Sequence, residues 1–217
     1  IAYPLLPGTP AATIDPQIGA YRWHIDPQNP TGTFVRSSGE ALAALHRIPP
    51  ARLAPAGVEA LDAVEMRKRM QERVGAVAQS FSVPPALWSR WRSWLDDDAL
   101  WPDFAVVVHG DMHPGHMLVQ GPEHRLTGLL DWTEVEAGDP ATDFVTFRVA
   151  FGAEALELAL RAYEAAGGRV WARMAEQVEA RWLLRGANYA LFAMSSGDPA
   201  HREAAQATLD HTAAGLG

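Results

Sequence analysis

Apolar positions recur at helical spacing over most of the chain after residue 36, and in short uninterrupted runs in its middle. Over residues 1–36, Pro, Gly, Thr and aromatic residues alternate without a helical period, which predicts loops and short strands. Ser37-Ser38-Gly39-Glu40 has the form of a capping box ahead of Leu42 and Leu45, and Pro49-Pro50 ends the helix it opens. Residues 57–79 read as a long charged amphipathic helix. Pro84-Pro85 opens another, carrying Trp88, Trp91 and Trp94 at a spacing that belongs to a packed face rather than to a ligand cage. The middle of the chain changes character. Ala105-Val106-Val107-Val108 is a short β-branched run, and residues 117–120 and 126–130 form two more, joined by the hairpin-like turn Gly121-Pro122-Glu123-His124. From Asp139, an N-cap followed by Pro140, helices return near 140–150, 153–166, 171–195 and 199–214, with breaks at Gly167-Gly168 and Gly197. The expected fold is α+β, mainly helical, with a small β-hairpin insert and a single domain over residues 1–217.

Composition narrows the chemistry. At 217 residues and 48% hydrophobic content, the chain can bury a sizeable core. A formal net charge of -8 argues against a nucleic-acid partner, whose phosphates demand basic patches. The same charge suits a cationic small molecule, but it equally serves solubility alone. With no cysteine, disulfides, thiolate metal sites and cysteine nucleophiles are excluded. No apolar run approaches the roughly 20 residues of a membrane span, so no membrane partner and a cytoplasmic location are expected.

The informative stretch is His109-Gly110-Asp111-Met112-His113-Pro114-Gly115-His116-Met117-Leu118-Val119, followed by Leu129-Leu130-Asp131-Trp132. One aspartate sits in a loop between two strands, and a second ends the strand after that. Phosphoryl transfer needs this arrangement: one carboxylate accepts the proton of the attacking hydroxyl, and another holds the Mg²⁺ that bridges the nucleotide phosphates. A bland alternative stands beside each. Asp111 could brace its own turn, as Gly-Asp pairs often do. Asp131, at the end of a buried strand, would need a cation or hydrogen-bond donors in any case. Three histidines within residues 109–116 raise zinc, but their spacing lacks the Asp, Glu or Cys partner of the common zinc patterns.

On these motifs the chain resembles the aminoglycoside phosphotransferase, or kinase-like, family. His116 stands where its members more often carry Asn. That histidine, Asp131-Trp132-Thr133-Glu134, Gly138-Asp139-Pro140-Ala141-Thr142-Asp143-Phe144, the opening Tyr3-Pro4-Leu5-Leu6-Pro7-Gly8-Thr9-Pro10 and Ile25-Asp26-Pro27-Gln28-Asn29-Pro30 are similar to the macrolide 2'-phosphotransferase branch. The resemblance spans nearly the whole chain. It implies a protein-kinase-like C-terminal lobe with Asp111 as catalytic base, His116 and Asp131 as metal ligands, and Mg²⁺ with GTP, or ATP, as phosphate donor. The backbone of Ile1, Ala2 and Tyr3 would meet the purine edge. Asp111, Asp143, Asn188, Tyr189 and Phe192 would face the acceptor, a macrolide whose dimethylammonium group suits Asp111 or Asp143. His109 and Asp143 would support the catalytic loop, and Asp139 would serve only as an N-cap. Two roles stay open: His116 either ligates metal or packs, because Mg²⁺ prefers oxygen ligands, and Phe192 either lines the acceptor pocket or packs between helices.

The chain carries no Gly-rich phosphate loop, and Lys68, its single lysine, lies in a charged helical run. The expectation that follows is that the N-lobe is absent, that residues 1–8 are the remnant of the hinge, and that the chain alone has little or no activity; separately, a monomer is expected. Two other readings remain beside the macrolide one: a kinase of another hydroxylated substrate (an aminoglycoside, choline or a sugar), and a kinase-like binding module without turnover.

Overall fold

The structure, a computed structural model, describes residues 6–15, 17 and 20–216. Three short strands come first, β1 (Thr9–Pro10), β2 (Ala12–Asp15) and β3 (Ala20–Trp23), before helix α1 (Gly32–His46). Helices α2 (Ala63–Ser80) and α3 (Pro85–Asp96) follow. The central strands are β4 (Val106–Val108), β5 (Met117–Gln120), β6 (Arg125–Leu129) and β7 (Glu136–Gly138). Four helices close the chain: α4 (Val145–Ala165), α5 (Met174–Trp182), α6 (Arg185–Ser196) and α7 (Pro199–Ala214).

The β5–β6 hairpin lies where the hydrophobic pattern puts it, and β1 pairs antiparallel with its outer side in the order β1-β5-β6. The Val-rich run forms β4, whose partner is β7, with Val106 opposite Gly138 and Val108 opposite Glu136. Nothing in residues 136–138 announces a strand. The pairing matters because it lays the exit of β4, where Asp111 follows, beside the approach to β7.

Several expected boundaries move, each for a physical reason. Helix α1 starts at Gly32, capped by the Thr31 hydroxyl accepting from Phe34 N at 3.1 Å, so Ser37-Ser38-Gly39-Glu40 is helix interior and caps nothing. The Ser37 and Ser38 hydroxyls both donate back to the Phe34 carbonyl, and Ser37 also accepts from Leu126 N at 2.9 Å, joining α1 to the hairpin. At Gly39 an added Cβ would lie 2.6 Å from the Ala159 carbonyl oxygen, so the glycine lets the backbones of α1 and α4 approach. The charged helix begins later than position 57, at a complete capping box of Asp62 and Glu65. The expected helix 171–195 is two helices, α5 and α6, broken at Leu183–Leu184. The Trp91 indole N–H donates to the Leu183 carbonyl at 3.0 Å and satisfies that group at the break. The helices expected at 140–150 and 153–166 run together as α4, with Gly152 (φ 86°) as the irregularity between them.

Two hydrophobic clusters result. One gathers Phe34, Leu42, Met117, Phe144, Phe147 and Tyr163 around α1, α4 and the hairpin. The other gathers Val74, Val77, Leu87, Trp91, Leu184 and Leu209 around α2, α3, α6 and α7. Trp91 and Trp94 are core residues, as their spacing suggests. A cleft of about 780 Å³ is lined by α2, α5, α6 and the segments flanking β4 and β7. Among the described residues, no helix is long and apolar enough to cross a membrane.

Candidate active site

Strand β4 delivers the chain into the loop through Gly110, which has φ +85°, a conformation L side chains adopt reluctantly. A Cβ at Gly110 would also stand 2.3 Å from the Glu134 carbonyl oxygen. Both effects demand glycine. Gly110→Ala is expected to cost about 1–3 kcal/mol of strain, or more once the Glu134 backbone must shift, measured as a loss of unfolding free energy in urea.

The loop is held from beneath. The fully buried Asp143 carboxylate accepts from His109 N and from Gly110 N, both at 2.9 Å, and its third partner is His46 Nε2 at 3.0 Å. His46 Nδ1 in turn meets the Tyr163 hydroxyl at 2.9 Å, whose pKa burial pushes up. This carboxylate has no surface toward the cleft. The expected contact between Asp143 and an acceptor amine is therefore corrected: burial and its two backbone donors commit it to the loop. His109 is equally buried, with Nε2 on the Leu130 carbonyl at 2.9 Å and Nδ1 accepting from Asp111 N at 3.3 Å.

Above this base Asp111 is 48% exposed in its side chain, and two histidines approach it. Hydrogen bonds sort their tautomers. His116 Nδ1 lies 3.0 Å from the Asp111 backbone carbonyl, which can only accept, so Nδ1 carries the proton. Its Nε2 lone pair then faces Asp131 Oδ2 at 3.8 Å. His113 Nδ1 accepts from Gly115 N at 3.0 Å, which puts the proton on Nε2, the nitrogen 3.9 Å from Asp111 Oδ2. Burial, with the neighbouring His116 second, holds the His113 imidazole below its usual pKa.

Asp131 sits differently from its expected place. It follows β6 rather than ending a buried strand, it is 47% exposed, and its φ of 59° is left-handed, a region Asp tolerates better than most residues. Oδ1 accepts from the Thr133 hydroxyl at 2.6 Å and from Thr133 N at 3.2 Å, and these donors hold the carboxyl below the usual carboxylate range. Its case as a ligand therefore rests on the free Oδ2 facing a histidine lone pair, not on the cost of burial. The donor set of one imidazole nitrogen and one carboxylate oxygen fits a divalent cation.

By its sequence His113 has no role outside the zinc alternative. The structure brings a carboxylate to two of the three histidines after all: Asp111, His113 and His116 each offer a ligand atom, all within 4.8 Å of one another. The proton on His113 Nε2 argues against a metal there, because a ligating nitrogen needs its lone pair.

Asn188, Tyr189 and Phe192 line the same cleft as Asp111. Phe192 is 51% exposed and lines the cleft, with its other side against His201, ring centroids 4.9 Å apart. Tyr189 stacks near it, ring centroids 6.2 Å apart, and its hydroxyl lies 3.1 Å from His201 Nδ1. Ile1, Ala2 and Tyr3 lie outside the described residues.

Other lining residues had no signal strong enough to be singled out. Glu134 and Glu136 line the cleft, and Arg73 of α2 grips Glu136 with two hydrogen bonds, at 3.2 and 2.8 Å. Asp139, read as an N-cap, does accept from Ala141 N at 2.8 Å, but it is also the buried partner of Arg181 Nε at 2.7 Å and Gln177 Nε2 at 2.6 Å.

Comparison with known proteins identifies the fold and family that carry this geometry. Residues 2–176 match the profile of the phosphotransferase enzyme family. The uncharacterized protein YcbJ of Bacillus subtilis (strain 168) is 42% identical over 178 residues, which is 82% of this chain and 58% of YcbJ. This chain thus spans little more than half the length of that relative. Among solved structures, the apoenzyme of macrolide 2'-phosphotransferase MphH from Brachybacterium faecium is similar with a TM-score of 0.87 and 37% identity, over 95% of this chain and 68% of that one. A macrolide 2'-phosphotransferase type I is similar to the same extent, with a TM-score of 0.87 and 39% identity over 95% of this chain and 68% of its own.

Proposed function

This chain belongs to the phosphotransferase enzyme family, and from that premise we propose that it forms the catalytic part of a nucleotide-dependent kinase acting on a hydroxyl group of a macrolide. The observation that carries the reading is the line of Asp111, His116 and Asp131, in which a single imidazole lies between two half-exposed carboxylates, the first of which lines a large cleft. The similarity to two macrolide 2'-phosphotransferases over 95% of the chain supports the acceptor class.

In this reading Asp111 accepts the proton of the acceptor hydroxyl as its oxygen bonds to the γ-phosphorus, and the bond from that phosphorus to the bridging oxygen breaks to release the nucleoside diphosphate. His116 Nε2 and Asp131 Oδ2 would hold the divalent ion, Mg²⁺ by family resemblance, which supplies positive charge to the phosphates. Thr133 keeps Asp131 ionised and turned so that Oδ2 stays available. GTP as preferred donor, with ATP as the alternative, and the backbone of Ile1, Ala2 and Tyr3 as the purine contact remain part of the proposal on the same resemblance.

The acceptor's ammonium group falls to the carboxylates that line the cleft. Asp143 is enclosed, so Glu134 takes its place beside Asp111. Glu134→Gln is expected to raise the KM for a cationic macrolide about tenfold, close to 1.4 kcal/mol, with little change in kcat. Steady-state kinetics with varied macrolide checks it.

The direct test is a panel of macrolides and aminoglycosides offered to the full-length protein with GTP and with ATP. Phosphate on a macrolide hydroxyl is the expected result. Transfer only to aminoglycosides, for which an acidic cleft is also suited, would replace the acceptor assignment. No transfer to any acceptor would remove the function.

A further inference from the structure

We propose that His113 is a positioning residue for the base: its Nε2–H holds Oδ2 of Asp111, which leaves Oδ1 to receive the acceptor's proton. This inference rests on the phosphotransfer reading above and adds a residue to it.

The argument starts from what Asp111 lacks. Among the described residues, its side-chain carboxylate accepts no hydrogen bond, although it must be oriented within a fraction of an ångström to act as a base. Two ring nitrogens come within 4 Å of Oδ2. His116 Nδ1 is at 3.6 Å, but its one proton is already spent on the Asp111 backbone carbonyl at 3.0 Å. His113 Nε2, at 3.9 Å, carries a proton with no other acceptor among the described residues, because Nδ1 is the acceptor for Gly115 N. His113 is thus the only one of the two with an N–H to give.

The ring is held in the required orientation. His113 caps the 3-10 turn Pro114–His116 through Nδ1, which fixes both tautomer and tilt. Its faces are covered by His116, centroids 3.7 Å apart, and by Tyr21, centroids 6.1 Å apart at 30°. A gap of 3.9 Å exceeds a hydrogen bond, and catalytic hydrogen bonds are often long before the reactants bind and shorten in the complex. In the proposal, reorientation of the half-exposed Asp111 carboxylate when reactants bind closes it. The competing use of the same atoms, a metal bound by Asp111, His113 and His116, needs a lone pair on Nε2 and hence a proton on Nδ1, where it would meet the Gly115 N–H head-on.

The two halves of the imidazole can be separated by substitution. In His113→Asn the side-chain oxygen can still accept from Gly115 N, but nothing is left to reach Asp111. In His113→Gln the amide nitrogen reaches toward the Nε2 position and restores a donor, while the cap is impaired. In the full-length protein, with an acceptor and nucleotide that support turnover, His113→Asn is expected to keep its melting temperature and its acceptor KM within about threefold and to lose roughly 10–100-fold in kcat, the range of one hydrogen bond to a charged group. His113→Gln is expected to recover part of that kcat despite a lower melting temperature. A His113→Asn enzyme with wild-type kcat, or kcat losses that follow melting temperature in both variants, would leave His113 as a cap only and overturn the proposal. A readout independent of turnover is the histidine tautomer, seen in long-range ¹H–¹⁵N correlation spectra. An Nε2–H imidazole at His113 supports the inference, and an Nδ1–H imidazole overturns it. Tight Zn²⁺ binding abolished by His113→Asn would also overturn it, in favour of the metal cluster. Absence of transfer by the wild type, with the Nε2–H tautomer present, would instead sink the phosphotransfer reading.

Discussion

Asp111→Asn is expected to lower kcat for phosphoryl transfer by a factor of about 10²–10⁴, the usual contribution of a general base, with the fold intact. The substitution is nearly isosteric. The carboxylate accepts no side-chain hydrogen bond among the described residues and is 48% exposed, so removing its charge leaves no buried donor stranded. The backbone bonds of Asp111, from its N–H to His109 Nδ1 and from His116 Nδ1 to its carbonyl, are untouched by the change. A purely structural Asp111 would therefore show almost no effect in either measurement. Kinetics on the full-length protein, with circular dichroism to confirm the fold, separate the cases. Retention of more than about a tenth of the wild-type rate would remove Asp111 from the role of base.

Asp139→Ala is expected to destabilise the fold by about 3–5 kcal/mol, measured by urea denaturation. The Asp139 and Arg181 side chains are 0% and 7% exposed, and the carboxylate also accepts from Gln177 Nε2 and Ala141 N. Deleting it strands a guanidinium and an amide that are almost wholly shut off from solvent. Gln177 loses one partner but keeps the other, the Trp94 indole N–H at 2.6 Å, so the damage centres on Arg181. An N-cap alone costs typically about 1 kcal/mol on removal. A measured loss near that smaller figure would return Asp139 to the modest role its Asp-Pro signature suggests. The bond from Arg181 joins α5 to the segment leading into α4, beneath the cleft that Arg181 also lines. A large loss would thus come with disturbed acceptor binding.

Local signals carried the site further than they carried the helices. His109, Gly110, Asp111 and His116 fall within eight consecutive residues, and a loop that short keeps its members together wherever the chain goes. Asp131 is returned to that loop by a hairpin whose turn, Gly121 to His124, was legible from its Gly-Pro pair, and Gly121 and His124 do occupy left-handed conformations. The hairpin strands and the last helix, 199–214, were readable for similar reasons: a period, a cap and a breaker in one window. The capping box at residue 37 was misleading for the opposite reason. Serines can bond to the preceding turn of a helix as well as cap one, and which they do depended on the hairpin strand that Ser37 bonds across 89 positions.

What only the tertiary structure decided are features whose partners are remote in sequence or whose chemistry depends on burial. The strand at 136–138 exists because β4 pairs with it, and the break between α5 and α6 is finished by an indole 92 positions away. Asp143 and Asp131 are the same residue type, yet enclosure commits one to the loop and exposure leaves the other free for a ligand. Arg73 meets Glu136, its partner in the cleft lining, across 63 positions of the chain. The sequence by itself determined that two aspartates and a histidine would share a short β-connected site, and its motifs pointed to the family. Which proton each histidine carries, which carboxylate faces the cleft, and which ion pair lies buried beneath them were set by packing, because a hydrogen bond's partner and a charge's solvation are properties of the folded neighbourhood rather than of the residue.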